Sequence, residues 1–280
     1  MKNTKIIRTF VLFVIIGGLL FTVYSCKPKS DKDNAGKKVL LKPVVKEVIK
    51  SELKEFIYPL PTSFEVIEMI NDLEIGYDIG VSNFTENADK YFTEAKKAIN
   101  LGVYGADLAY ASTYQMKQEV ILFLETSRKL ADDLGIASIY NEELISEVEN
   151  CIDNKEELVD IITNSFYDIY SQLNQNGKAN LALLGVAGSW VESLFITTQV
   201  SANVYHNIGL VKIIHKQKTS FETLMDILND NKGDEKIDKM IKELTPLYNI
   251  YETVDENLSE KQINAIVTEV EKLRTQLVTN

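Results

Sequence analysis

Cysteine and histidine are nearly absent from this sequence, at two each in 280 residues. Two cysteines make no disulfide scaffold, and two histidines make no histidine-rich metal site. Basic charge is in deficit as well: 30 Lys and Arg stand against 41 Asp and Glu, a net charge of −11. Phosphate binding needs a basic face, so nucleic acid is not expected as a partner. Several motifs are missing. The chain has no Gly-x-Ser-x-Gly elbow, no Gly-x-x-x-x-Gly-Lys-Ser/Thr loop, no His-Glu-x-x-His pair and no calcium loop. No cofactor and no metal are implied. At 45% hydrophobic and 25% charged, the chain is too apolar for a disordered polymer and too polar for a multi-span membrane protein.

What is present begins with an address. Lys2, Lys5 and Arg8 precede an apolar run from Phe10 to Val23, followed by Tyr24-Ser25-Cys26. Residues 1–25 therefore read as a secretory signal peptide. The run is shorter than the ~20 residues a spanning helix needs. Cys26 after Ser25 resembles the lipobox of bacterial lipoproteins, although Tyr24 replaces the usual small or β-branched residue. The resemblance implies that Cys26 is acylated and becomes the first residue of the mature chain. Cleavage removes three basic residues and no acid, taking the formal charge from −11 to −14. Attachment then rests on lipid and not on charge, so the membrane is a partner through the N-terminal lipid alone. Residues 26–43 read as the lipidated cysteine and a polar tether. No aspartate follows Cys26, so the expected location is the outer membrane, on its periplasmic or surface face. Cys151 is left alone, on a helix face with Leu144, Ile145 and Val148, and reads as a small buried hydrophobe.

Residues 44–280 read as all-α: one bundle of about eight helices. Ile237, Met240, Ile241, Leu244, Tyr248 and Tyr251 recur at helical spacing, with a kink or break expected near Pro246. Ser259-x-x-Gln262 is a capping-box pattern ahead of the stripe Ile263, Ile266, Val270, Leu273, Leu277. Residues 117–134, 155–173 and 207–229 are also helix-like. Tyr58-Pro59-Leu60-Pro61 reads as a rigid extended connector, and Thr62-x-x-Glu65 as the cap of a helix through Leu73.

Two stretches are almost free of charge. Residues 98–116 hold only Asp107, and residues 179–211 only Glu192 with His206 neutral. A helix without charge on any face is buried all round, so these two form the expected centre of the bundle. Leu101-Gly-Val-Tyr-Gly-Ala106 matches Leu184-Gly-Val-Ala-Gly-Ser189 at four of six positions, suggesting two related helical hairpins. Gly102, Gly105, Gly185 and Gly188 lie on faces of small residues that allow close helix approach. Each costs up to ~1 kcal/mol against Ala in a helix interior. Spanning by 179–205 is disfavoured by Asn180, Ser189, Glu192, Gln199 and Asn203.

Asp107 and Glu192 are the leading candidates for chemistry. Should the two central helices pack together, one protonated and one ionised carboxyl would face each other, the equipment of a glycosidase-like hydrolase. The structural alternative is that each acid bonds a hydroxyl of Tyr104, Tyr110, Tyr114 or Tyr205, or a free backbone donor. Tyr104, Tyr110, Tyr205 and His206 are weaker candidates, and no second ligand stands at metal spacing from His206 or His215. The segments Tyr58–Val66, Asn87–Phe92 and Leu101–Tyr114 resemble a family of uncharacterised lipoproteins of Bacteroidota. That resemblance implies an all-helical envelope protein and brings no activity and no functional residue with it. The leading expectation is a lipid-anchored, non-catalytic binding or envelope-organising module. The alternatives are the hydrolase and a small-ligand carrier with a tyrosine-lined cleft.

Overall fold

Side-chain caps mark where most helices begin. Thr93, Asn141, Asn154, Asn207, Asp234 and Ser259 each accept a hydrogen bond from a first-turn amide, satisfying donors that have no intrahelical partner. The computed structural model describes residues 63–279; the signal-peptide, lipidation, tether and Tyr-Pro-Leu-Pro readings, and the Thr62 cap, lie outside them. Among the described residues there are nine α-helices, three short 3₁₀ turns and no strand. The helices are α1 (Ser63–Asn71), α2 (Glu94–Thr113), α3 (Lys117–Asp133), α4 (Glu142–Cys151), α5 (Lys155–Gln175), α6 (Ala179–Gln199), α7 (Ile208–Asp230), α8 (Glu235–Glu252) and α9 (Glu260–Val278).

The two charge-poor stretches become α2 and α6, and they form the centre. Each packs most extensively against the other, with α1, α3, α5 and α9 against α2 and α1, α5, α7, α8 and α9 against α6. Burial on every face explains why α6 carries almost no charge. It is the described helix long and apolar enough to cross a membrane, yet most of it is buried inside the bundle. The contact with α2 is backbone to backbone. A Cβ on Gly102 would lie 1.9 Å from the Gly185 carbonyl oxygen, and one on Gly188 would lie 2.1 Å from that of Ile99. Gly185 itself is looser, at 3.3 Å from the Ala98 carbonyl, and Gly105 faces the Phe166 ring of α5 instead. The small residues of α2 thus serve two neighbours and not one seam.

Other expectations shift at the edges. The Ser259 capping box is formed, with both reciprocal bonds. Helix α8 runs unbroken through Pro246, because proline removes one hydrogen bond while buried Leu244, Leu247 and Tyr251 hold the helix on the core. Helix α1 stops at Asn71, short of Leu73. The connection after α2 spans residues 114–116 and that after α6 residues 200–207, so the two hairpins differ in their turns. Cys151 is only half-buried, as the last residue of α4. Its thiol is pushed up by desolvation and by the neighbouring Glu157, the reverse of an activated thiolate.

Candidate functional site: a sealed acid pair and an open apolar cleft

Asp107 and Glu192 lie near enough across the α2–α6 packing for the Glu192 charge to act on Asp107, with no hydrogen bond between them. Both are wholly buried. Each of them has found a partner that composition did not single out. Glu192 accepts a two-pronged bond from Arg274 of α9, with Nε and Nη2 each 3.0 Å from a carboxylate oxygen. The guanidinium stacks over the Phe195 ring at 4.6 Å. Asp107 accepts the backbone N–H of Asn83 at 3.1 Å on one oxygen. Its other oxygen, Oδ1, has no well-formed partner, nor have the buried hydroxyls of Ser82 and Tyr77, although Ser82 lies close enough to ease the Asp107 charge.

Two buried carboxyls lie near one guanidinium, which hydrogen-bonds Glu192 and reaches Asp107 only through its charge, so the charges do not balance. Burial, and then the nearby Glu192 charge, push the Asp107 carboxyl well above the usual carboxylate range. Burial raises Glu192 too, while Arg274 pulls it back through its charge and hydrogen bonds. Asp107 is the group that takes the proton, since Glu192 holds two charge-assisted bonds and Asp107 a single amide.

The tyrosines near Asp107 explain its position. Tyr114 donates to the Ile75 carbonyl at 2.7 Å, Tyr110 accepts the Asp78 N–H at 2.8 Å, and Tyr104 donates to the Phe84 carbonyl at 2.8 Å. Together with Asp107, these side chains recur every three or four residues along one face of α2 and its C-cap, Tyr114. They bind the main chain of residues 75–84, a strap whose only helical turn is the 3₁₀ segment Ile79–Val81. Buried backbone groups must be paired, and here a helix face supplies what a neighbouring strand would. Burial lifts the Tyr104 and Tyr110 hydroxyls, Tyr110 to about 12. Of the two structural expectations for the acids, a tyrosine hydroxyl or a free backbone donor, Asp107 meets the second and Glu192 neither, since its partner is Arg274; Asp107 and the tyrosines act side by side on the strap. Tyr205 and His206 are exposed on a 3₁₀ turn and pack on each other edge to face. They take no part in the acid site.

Arg274 was missed because it is one cation on an amphipathic, charge-rich helix. Its placement depends on how α9 ends. Lys96 donates to the carbonyls of Gln276, Leu277 and Thr279, Asn100 to that of Leu277, and Tyr91 to that of Val278. These side chains of α2 and its approach satisfy a helix C-terminus and set the register that brings Arg274 to Glu192.

A separate site opens on another side of the same helix pair. A cleft of about 100 Å³ lies between α1, α2, α5 and α6. Gly102 and Gly185 form part of its wall, and Leu101, Phe166, Tyr170 and Trp190 line it with further apolar side chains. No Asp, Glu, Lys, Arg or His lines it, and neither Asp107 nor Glu192 reaches it. A second hollow, of about 300 Å³, has a mixed lining in which Lys96, Lys239 and Glu243 stand beside Ile99, Leu184 and Met240. No group of three or more His, Cys, Asp or Glu among the described residues is arranged to hold a metal ion. Comparison with protein-family models, curated proteins and solved structures returns no match to this chain.

Proposed function

We propose that this chain is a lipid-anchored, non-catalytic binding module of the cell envelope, and that its binding site is the apolar cleft between α1, α2, α5 and α6. The supporting observation is the wall of that cleft: aliphatic and aromatic side chains without a charged group, opened by glycines that bring α2 and α6 together. Ligand sites have this character, mostly apolar with a few polar atoms. At about 100 Å³ the cleft is smaller than the ~150 Å³ apolar cavity known to take up benzene, so it admits at most one small ring or the end of a longer apolar molecule. The hydrolase alternative lacks a comparable basis. Glu192 is committed to Arg274, and both carboxyls are sealed from the cleft. The anchor part of the reading rests on the sequence around Cys26.

The sole tryptophan of the chain, Trp190, lines the cleft. Its fluorescence therefore reports on occupancy. The experiment is a titration of the full mature chain carrying Cys26→Ser with bromobenzene, whose heavy atom quenches an adjacent indole. Quenching that saturates is the expected result. Quenching that rises linearly, as for random collision, would count against the cleft as a binding site.

A further inference from the structure

Building on that reading of the cleft, we propose that its ligand is a neutral aromatic ring carrying one hydrogen-bonding group, anchored by the Tyr170 hydroxyl. The first argument is charge. No ionisable side chain other than tyrosine lines the cleft, so a carboxylate or ammonium entering it would lose its water without gaining a counter-charge. A fatty acid headgroup or an amino acid fits the walls poorly, and an uncharged molecule fits them well.

The second argument is the Tyr170 hydroxyl. Most polar atoms around the cleft are spoken for: Ser63 and Ser189 bond each other, and Ser193 donates to the Ser189 carbonyl. Tyr170 makes no hydrogen bond among the described residues. Its oxygen lies 4.0 Å from where a Cβ on Gly185 would stand, so it sits against the glycine wall. Desolvation pushes this phenol upward, so it stays a neutral O–H that can donate one hydrogen bond and accept another. The hydroxyl is not among the sealed polar atoms that lack a partner, so in the empty cleft it reaches water, and a ligand that displaces this water keeps its affinity only by supplying the hydrogen bond itself.

The third argument is shape. Phe64, Phe166, Tyr167, Tyr170 and Trp190 give the small space an aromatic lining. Rings pair with rings edge to face or offset, at a gain beyond simple burial. A phenol-sized molecule meets all three conditions at once: no charge, one polar atom for Tyr170 and a ring for the walls.

The test is a ¹⁹F NMR titration of the full mature chain carrying Cys26→Ser with 4-fluorophenol, fluorobenzene and 4-fluorobenzoate. It is repeated with Tyr170→Phe, whose fold is checked by its thermal melt. The expected result is that 4-fluorophenol binds about fivefold tighter than fluorobenzene. That advantage disappears in Tyr170→Phe while fluorobenzene affinity holds, and 4-fluorobenzoate binds neither protein. Equal affinity for the two neutral rings, or a phenol preference that survives Tyr170→Phe, would overturn the anchoring role. Benzoate binding as well as phenol would overturn the charge argument. Loss of fluorobenzene binding in the parent protein would instead sink the reading of the cleft as a site.

Discussion

At Asp107 a carboxyl performs a task that a strand backbone usually performs, accepting the N–H of Asn83 from an irregular strap. At Glu192 the same functional group is a counter-ion. The two acids therefore respond to neutralisation in opposite directions. Glu192→Gln leaves the Arg274 guanidinium, itself only 15% exposed, without its charge partner. Breaking a buried pair from one side costs ~3–5 kcal/mol, and a urea melt at pH 7 is expected to show a loss of that order. Asp107→Asn keeps an oxygen for Asn83 and removes the need to hold a proton, so stability at pH 7 is expected to rise by ~1–3 kcal/mol. The pH dependence follows from the raised Asp107 carboxyl. An unfolded aspartate titrates near ~3.9. Between that pH and the higher folded value the native state binds more protons than the unfolded state, so its stability falls as pH rises. The stability this carboxyl contributes is fully present below the unfolded value and is lost as pH climbs through the folded one. Melts of parent and Asp107→Asn at pH 4, 5.5 and 7 should thus diverge with increasing pH. A constant difference across the three would mean that Asp107 is ionised in the folded protein.

Between α2 and α6 the decisive quantity is the distance from one backbone to the other. Alanine in place of a helical glycine gains up to ~1 kcal/mol of helix propensity, and overpacking costs ~1–3 kcal/mol or more. Which wins depends on what the new methyl meets. At Gly102 and Gly188 it meets a carbonyl oxygen at 1.9 and 2.1 Å, with no side chain able to turn aside. Gly102→Ala and Gly188→Ala are each expected to destabilise by ~2–3 kcal/mol net. At Gly185 the nearest atom is 3.3 Å away, so Gly185→Ala should come within ~1 kcal/mol of the parent. Thermal melts of the three variants rank them; equal losses would mean that α2 and α6 separate easily. The glycine match at an offset of 83 residues also has a structural counterpart, since Gly102 and Gly185 touch. The acids do not share that relation, because Trp190 stands 83 residues after Asp107.

For the whole molecule, what was legible in the sequence was whatever depends on burial along one helix. Scarcity of charge marked α2 and α6 as the centre and isolated Asp107 and Glu192, because a buried helix excludes charge regardless of its neighbours. Periodicity placed α5, α7 and α9 for the same local reason. What stayed hidden depends on distant partners. The 75–84 strap has no period of its own, since its hydrogen bonds go to side chains of α2 about 20 to 40 residues later. Arg274 acquires its role only through the docking of the α9 C-terminus on Lys96 and Asn100. The cleft exists only where four helices fail to close completely over two glycines. The proposed anchor lies outside the described residues and makes its own prediction. A mature chain of charge −14 is repelled by an anionic membrane surface. Hydrophobic insertion of acyl chains, at ~0.8 kcal/mol per buried CH₂, is then the only attraction and does not weaken with salt. The protein is expected to remain with sedimented membranes in 1 M NaCl, to move into detergent, and to appear in the soluble fraction once Cys26→Ala removes the acylation site. Release of the parent protein by salt would mean that an ionic contact holds it, and continued sedimentation of Cys26→Ala would mean that the lipid is not the anchor.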